Sequence, residues 1–439
     1  MTDPRQLARH PQTPPMMRVP LEVWLMIALI CGTNSLMSLR LACRHLYRTV
    51  TDIIYMNKIL CTIPRSASLD LIWSTLGALK ARNVRTSGMN YVSRPRGLIN
   101  VLTGPNIKFL NLSGCLWVSD VGLLAGLKVL DLSECRGVVD VRALGGVHTL
   151  DLRHCYGVKD VSALGGVHTL DLSYCRGLAD VSALGEVHTL KLKSTGVVNV
   201  SALGSVHSLD LSYCRGLADV SALGGTHSLD LSGCRRVVNV GSLGGVHSLK
   251  LSECRLVADV SALGGVHTLD LSGCRAVREV GSLGGVHSLN LGDCLEVADV
   301  SALGGVHSLN LSGCLEVVDV SALGGVHSLN LSGCCWLVDV SALGGVHMLG
   351  LSGCLEVADV SSLGEVHSLD LSGCFRVVDV SALGGVHSLD LSGCYQVTDV
   401  SALGGVHILK LRGGAGVARA DAPAIDWSFP ARDASWYLL

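Results

Sequence analysis

Leucine stands at positions 110, 130, 150, 170 and 190, then at 209, 229 and every twentieth residue to 409. One unit thus recurs sixteen times, and few folds are open to a chain built this way. A unit this short cannot bury its own apolar side, so neighbouring units must stack and share one core. Alternation through His387–Leu391 is the period-2 mark of a short strand whose Leu389 and Leu391 point inward. Val397, Val400 and Leu403 supply further inward residues on the return path. Asp399 is placed to accept bonds from N–H groups two residues on, in an Asx-type turn. Gly404-Gly405 is expected to make the reversal into the next strand through glycine's backbone freedom. The return path is too short for an α-helix with both its turns, so extended, turn or 3₁₀ structure is expected there.

One copy is irregular. The interval from Leu190 to Leu209 lacks a residue and carries Thr195 where the others have cysteine. Its deletion falls in the turn after the strand, where a stack tolerates it best. Fourteen of the 18 cysteines share that single position, from Cys115 to Cys394. A repeated position predicts a column of inward thiols donating weakly to backbone carbonyls, not a disulfide framework, and favours a reducing compartment. The polar, proline-containing start is no secretory signal, and the apolar run Val23–Cys31 is far too short to span a bilayer. A cytoplasmic or nuclear protein without membrane contact is expected. Net charge is −2, yet residues 1–100 hold 13 Lys/Arg against 4 Asp/Glu. No dense basic run accompanies that excess, so it is read as a solvated face or a surface for an acidic protein, with no nucleic-acid partner.

The pattern Leu-x-Leu-Ser-Gly-Cys-x-x-Val-x-Asp, as in Leu389–Asp399, resembles the leucine-rich-repeat family in its cysteine-containing subtype. The resemblance implies a solenoid with a parallel β-sheet on its concave face. Members of that subtype have longer repeats with a convex helix, for which this chain has no room, so the convex side is expected to be mostly non-helical.

Ahead of the repeats, Val19-Pro20-Leu21-Glu22-Val23-Trp24-Leu25-Met26-Ile27 opens with proline at a helix start. Leu36–Tyr47 carries apolar residues at helical spacing. Together they resemble the F-box, with Val19, Ala42 and Tyr47 departing from its usual leucine, valine and tryptophan. That resemblance implies docking on a Skp-type adaptor of a Skp–cullin–F-box ubiquitin ligase, through Pro20, Leu21, Val23, Trp24, Ile27, Leu39 and Leu46. It also implies that the repeats recruit a protein substrate. The competing reading is a scaffold or decoy whose first helices only cap the array. The fold class is therefore α+β, a short helical module followed by a solenoid. The expected layout is a disordered stretch at 1–17, the module at 18–60, a degenerate lead-in at 61–105, repeats at 106–412 and a tail at 413–439. Trp427, Phe429, Trp436 and Tyr437 in that tail are read as a cap over the last coil.

Repetition turns single residues into ladders. Fourteen histidines, His148 to His407, stand two residues before the repeat leucine. No further Asp or Cys converges on them, so a pH response is expected and a metal is not. Ser, His, Cys and Asp all recur, but catalysis needs one singular arrangement, and near-equal copies offer none. No enzyme and no cofactor is expected. The Asp column lacks the glycine-rich nonapeptide spacing of calcium-binding solenoids.

Variation gathers just after the cysteine. Arg215, Arg235, Arg255 and Arg275 give way to Leu295, Leu315, Cys335, Leu355, Phe375 and Tyr395, with Trp336 one place on among Glu296, Glu316 and Glu356. A basic stripe followed by an apolar, acid-flanked stripe is the expected look of a protein-binding edge, and these arginines and apolar residues are the candidate substrate contacts.

Overall fold

The computed structural model describes residues 108–116 and 118–413, together with two short strands ahead of them. The proposed helical module at 18–60, both ends of the chain and most of 61–105 lie outside the described residues.

The chain divides into two units, Met1–Leu152 and Arg153–Leu439. In the first, β1 (Cys61–Ile63), β2 (Asn83–Thr86), β3 (Phe109–Asn111), β4 (Val129–Asp131) and β5 (Thr149–Asp151) pair side by side in chain order, all parallel. In the second, β6 (Thr169–Asp171), β7 (Thr189–Lys191) and β8 (Ser208–Asp210) begin a parallel ladder. It continues through β9 to β18, one strand per repeat, from Ser228–Asp230 to Ile408–Lys410. Leu249 faces Leu229 on one side and Leu269 on the other, so like lies over like. That register follows directly from the constant period of the sequence. Strands β1 and β2 lie within the expected lead-in, where no periodicity announces them.

The repeat 309–326 shows how the coil is made. Leu309, Leu311, Cys314, Val317, Val320, Leu323 and Val326 are all buried, and between them they form the whole inner lining of one coil. The chain turns through short backbone bonds: Cys314 N–H donates to Leu311 O (3.1 Å), Leu323 N–H to Val320 O (2.9 Å) and Val326 N–H to Leu323 O (3.0 Å). The return path holds a 3₁₀ segment, Ser321–Gly325, and no α-helix occurs among the described residues. Asp319 Oδ1 accepts the Ser321 N–H (2.9 Å) and Asn310 Oδ1 the Ser312 N–H (3.0 Å), so an Asx-type bond shapes both corners.

In the short copy, Thr195 occupies the cysteine site and its Oγ1 donates to Leu192 O (2.7 Å). Gly196 alone separates it from buried Val197, where other copies have two residues, and the next strand still pairs Leu190 with Leu209. The missing residue is thus an exposed one.

The glycine pair works differently from the expectation. Gly404-Gly405 and its equivalents do not adopt positive φ. The left-handed position is the residue before the cysteine, filled by Gly313 (φ 71°) or Gly393 (φ 77°), but also by Glu134 (φ 62°), Tyr213 (φ 60°) and Asp293 (φ 57°). Where another coil follows, as at Gly264 and Gly284, the first glycine of the pair is needed for room. A Cβ on Gly264 would lie 2.3 Å from the Ser282 carbonyl oxygen of the next coil, and one on Gly284 2.3 Å from that of Ala302. A non-glycine residue held left-handed costs about 1 kcal/mol or somewhat more. Glu134→Gly is accordingly expected to stabilise the fold by about 1 kcal/mol, seen as a higher urea midpoint at an unchanged slope. An unmoved or lower midpoint would refute it.

Candidate functional site

Each strand is followed by an inward leucine and a turn that delivers the cysteine, so the two residues after the cysteine sit at the same edge in every copy that has one. The cysteine anchors that edge. Cys254 Sγ donates to Leu231 O (3.2 Å), Cys314 Sγ to Leu291 O (3.1 Å) and Cys394 Sγ to Leu371 O (3.0 Å). Burial pushes the Cys254 thiol up to about 12 and the Cys394 thiol to about 11. These thiols stay protonated at neutral pH and are poor nucleophiles. In the native chain they are expected to react with an aromatic disulfide reagent on the order of 1000-fold more slowly than a free cysteine, with half-buried Cys335 labelled first among the described thiols. Rapid labelling of Cys254 before unfolding would contradict this.

On the edge that the cysteines anchor, the candidate residues are brought into one line. Arg215, Arg235, Arg255 and Arg275 are exposed, and Arg255 is held by Glu253 (Nη2–Oε2 2.6 Å). Beyond them Leu295 is half-buried, while Leu315, Trp336, Leu355, Phe375 and Tyr395 are exposed, Trp336 to 64%. The Phe375 and Tyr395 rings stack with centroids 5.7 Å apart. Charge rims the apolar stretch: Arg376 pairs with Glu356 (2.6 Å) and Arg278 with Glu296 (3.0 Å). The structure adds residues that the sequence reading passed over. Val318, Val338 and Val378 are more than half exposed and widen the stripe. Their signal is an apolar pair, as in Val317-Val318-Asp319, where one inward residue suffices.

Two shallow grooves open on this side. One, of about 340 Å³, is lined by Arg376, Val378, Asp359 and Asp379. The other, of about 380 Å³, is lined by Arg236, Val238 and Asp219. They are the same inter-repeat furrow in two different copies. The adaptor-facing candidates Pro20, Leu21, Val23, Trp24, Ile27, Leu39 and Leu46 lie outside the described residues.

The opposite edge carries the histidines, just before each strand. From His168 to His407 they are exposed and stack ring on ring, with centroids 4.6–4.8 Å apart. One ion bound at about 2.1 Å from each of two nitrogens cannot bridge such a gap, and parallel rings aim their lone pairs side by side. No group of three or more His, Cys, Asp or Glu among the described residues is placed to hold a metal. His267 and His327 are held below the usual imidazole range, by desolvation first and by the neighbouring imidazoles second. A folded value below the unfolded one means that the unfolded chain takes up protons first. Stability is therefore full above about pH 6.5 and falls as pH drops through the lowered folded values. The melting temperature is expected to be lower at pH 5 than at pH 7.5, and equal values would refute the repulsion.

A leucine-rich-repeat protein of Leptospira interrogans matches with a TM-score of 0.50 at 16% identity, over 75% of this chain and 100% of that one. The fold is that of the leucine-rich repeats. An internalin (InlF) of Listeria monocytogenes matches with a TM-score of 0.45 at 18% identity, over 64% of this chain and 85% of that one. The functional domain of InlJ from the same bacterium, described as including a cysteine ladder, gives 0.41 at 17%, over 62% and 70%. No protein-family model and no curated protein matches the chain.

Proposed function

We propose that the chain is a non-catalytic receptor that holds a protein on the leucine-rich-repeat edge from Leu315 to Tyr395. It presents that protein, through residues 18–60, to a Skp-type adaptor of a cullin ubiquitin ligase. The observation that carries the first half is the exposed apolar stripe with its rim of ion pairs. Large side chains left in water at one edge, over five consecutive copies, are costly unless a partner covers them. The grooves on this edge are shallow and duplicated, which suits an extended protein contact better than a substrate pocket. The second half rests on the F-box resemblance at Val19–Ile27 and Leu36–Tyr47. A reducing, intracellular compartment accords with a column of cysteines that are thiols and not disulfides among the described residues.

The adaptor step is tested by affinity capture with the intact chain and with a chain lacking residues 18–60. Co-purification of a Skp-type adaptor with the first and not the second is expected. If the intact chain recovers none, the ligase link is wrong and the scaffold reading takes its place.

A further inference from the structure

The histidine column meets no need of the core. Its thirteen stacked rings, His168 to His407, lie in water at the N-terminal ends of the strands, and the coils close without them. The position is selective all the same. Where the column has not yet begun, the same place is taken by Lys108 and Lys128, so the substitution runs from one cationic or cation-capable side chain to another.

Few other charges act there. In the turns leading to the column the carboxylates are Glu186 and Glu365. At the far end of each strand stands a mixed row, acidic at Asp171, Asp210, Asp230, Asp270, Asp370 and Asp390, neutral from Asn290 to Gly350, and basic at Lys191, Lys250 and Lys410. Apart from desolvation, the groups that act on His267 are His287 and His247, and those that act on His327 are His307 and His347. No carboxylate neutralises the column at these places.

We propose that this column is a binding edge for a linear polysaccharide bearing sulfate esters, loaded by protonation under mildly acidic conditions. Imidazole is the side chain whose charge ordinarily changes between about pH 5 and 8. As pH falls, each proton taken up is opposed by the charge of its neighbours, less than 5 Å away. A polyanion laid along the edge removes that opposition, so ligand binding and proton uptake assist each other. The stacking decides the class of polymer. Ring faces are occupied by the next ring, which leaves only N–H edges for a ligand. Binding of single-stranded nucleic acid draws on free aromatic faces for its bases, and this edge has none to offer. Ester sulfates need only donors and positive charge, repeated along a line. The proposal concerns the other edge of the repeats and does not rest on the receptor reading, whose reducing intracellular compartment is not where sulfated polysaccharides are met. Heparin binding would stand whether or not an adaptor is captured.

The test uses the full chain and fluorescent heparin as the probe, titrated at pH 5.5 and pH 7.5 in low salt. Binding at pH 5.5 is expected to be about tenfold tighter or more, and to weaken steeply with added salt. Replacing His247, His267, His287 and His307 together with glutamine is expected to remove about tenfold or more of the affinity at pH 5.5, with secondary structure retained by circular dichroism. Replacing the same four with lysine is expected to restore binding and to carry it up to pH 7.5. Equal affinity at the two pH values, or affinity unmoved by the glutamine set, overturns the proposal. So does single-stranded DNA or polyglutamate binding as tightly as heparin, which would assign the edge to another class of polymer.

Discussion

Gly284→Val is expected to split the cooperative unfolding of the repeat array. The Cβ of any side chain at this position falls 2.3 Å from the Ala302 carbonyl oxygen and 3.4 Å from its carbon. Neither atom can swing away, because both belong to the backbone of the next coil. Relief requires the two coils to part, which disturbs the strand pairing between Leu289 and Leu309 and the leucine contacts beneath it. Overpacking of this kind costs about 3 kcal/mol. Each coil contacts only its neighbours, so the whole cost falls on a single interface. The halves on either side keep their own packing. Urea unfolding is expected to change from one transition to two, with the lower midpoint assigned to the shorter piece. Gly404→Val is the control, since no atom lies within 4 Å of a Cβ there, and it is expected to leave the transition unchanged. If Gly284→Val melts like the parent, close approach is not what reserves this position for glycine.

Replacing Leu315, Trp336, Leu355 and Phe375 together with serine is expected to abolish partner capture and leave the fold intact. All four are exposed, and exposed substitutions shift stability by roughly 0.5 kcal/mol or less. At an interface the same residues are worth far more. A buried tryptophan anchor contributes about 2 kcal/mol or more, about thirtyfold in affinity, and losing its apolar neighbours compounds the effect. Loss of capture with an unchanged melting temperature supports the edge as the receptor surface. Retained capture moves recognition to the strand face. Replacing Arg215, Arg235 and Arg275 with serine is the milder comparison, since rim charges act chiefly on the rate of encounter.

The core was legible because its signal is periodic. Leu309, Leu311, Cys314, Val317, Val320 and Leu323 each recur at fixed spacing, and a position that keeps its apolar type through many copies is facing inward. The paired glycines were legible as a special position but not as to cause. A glycine needed for positive φ and one needed for close approach look the same in a sequence. The true left-handed position was hidden because Glu134, Tyr213 and Asp293 occupy it in some copies and glycine in others. Strands β1 and β2 were invisible because the spacing from Cys61 to Phe109 has no period. At the edge, the line of Leu315, Trp336 and Phe375 followed from counting residues after the cysteine. The flanking valines did not, since Val317 and Val318 differ in exposure but not in type. Strand spacing alone sets neighbouring imidazoles about 5 Å apart. Their parallel stacking depends on ring orientation, which no periodicity carries.

Direct register has a consequence for how such a chain reaches its native state. Because Leu249 meets Leu269 as it would meet Leu289, a coil that skips its neighbour and docks on the next one finds the same leucines, the same cysteine and the same hydrogen bonds. The skipped unit is left as a loop, and little in the mispaired interface reports the error. Near-identical neighbours are where repeat proteins misassemble. The copy from Leu190 to Leu209 differs. With threonine in the thiol column and one residue fewer in its turn, it fits its own neighbours better than it would fit a distant one. It serves as a mark of phase in an otherwise interchangeable series.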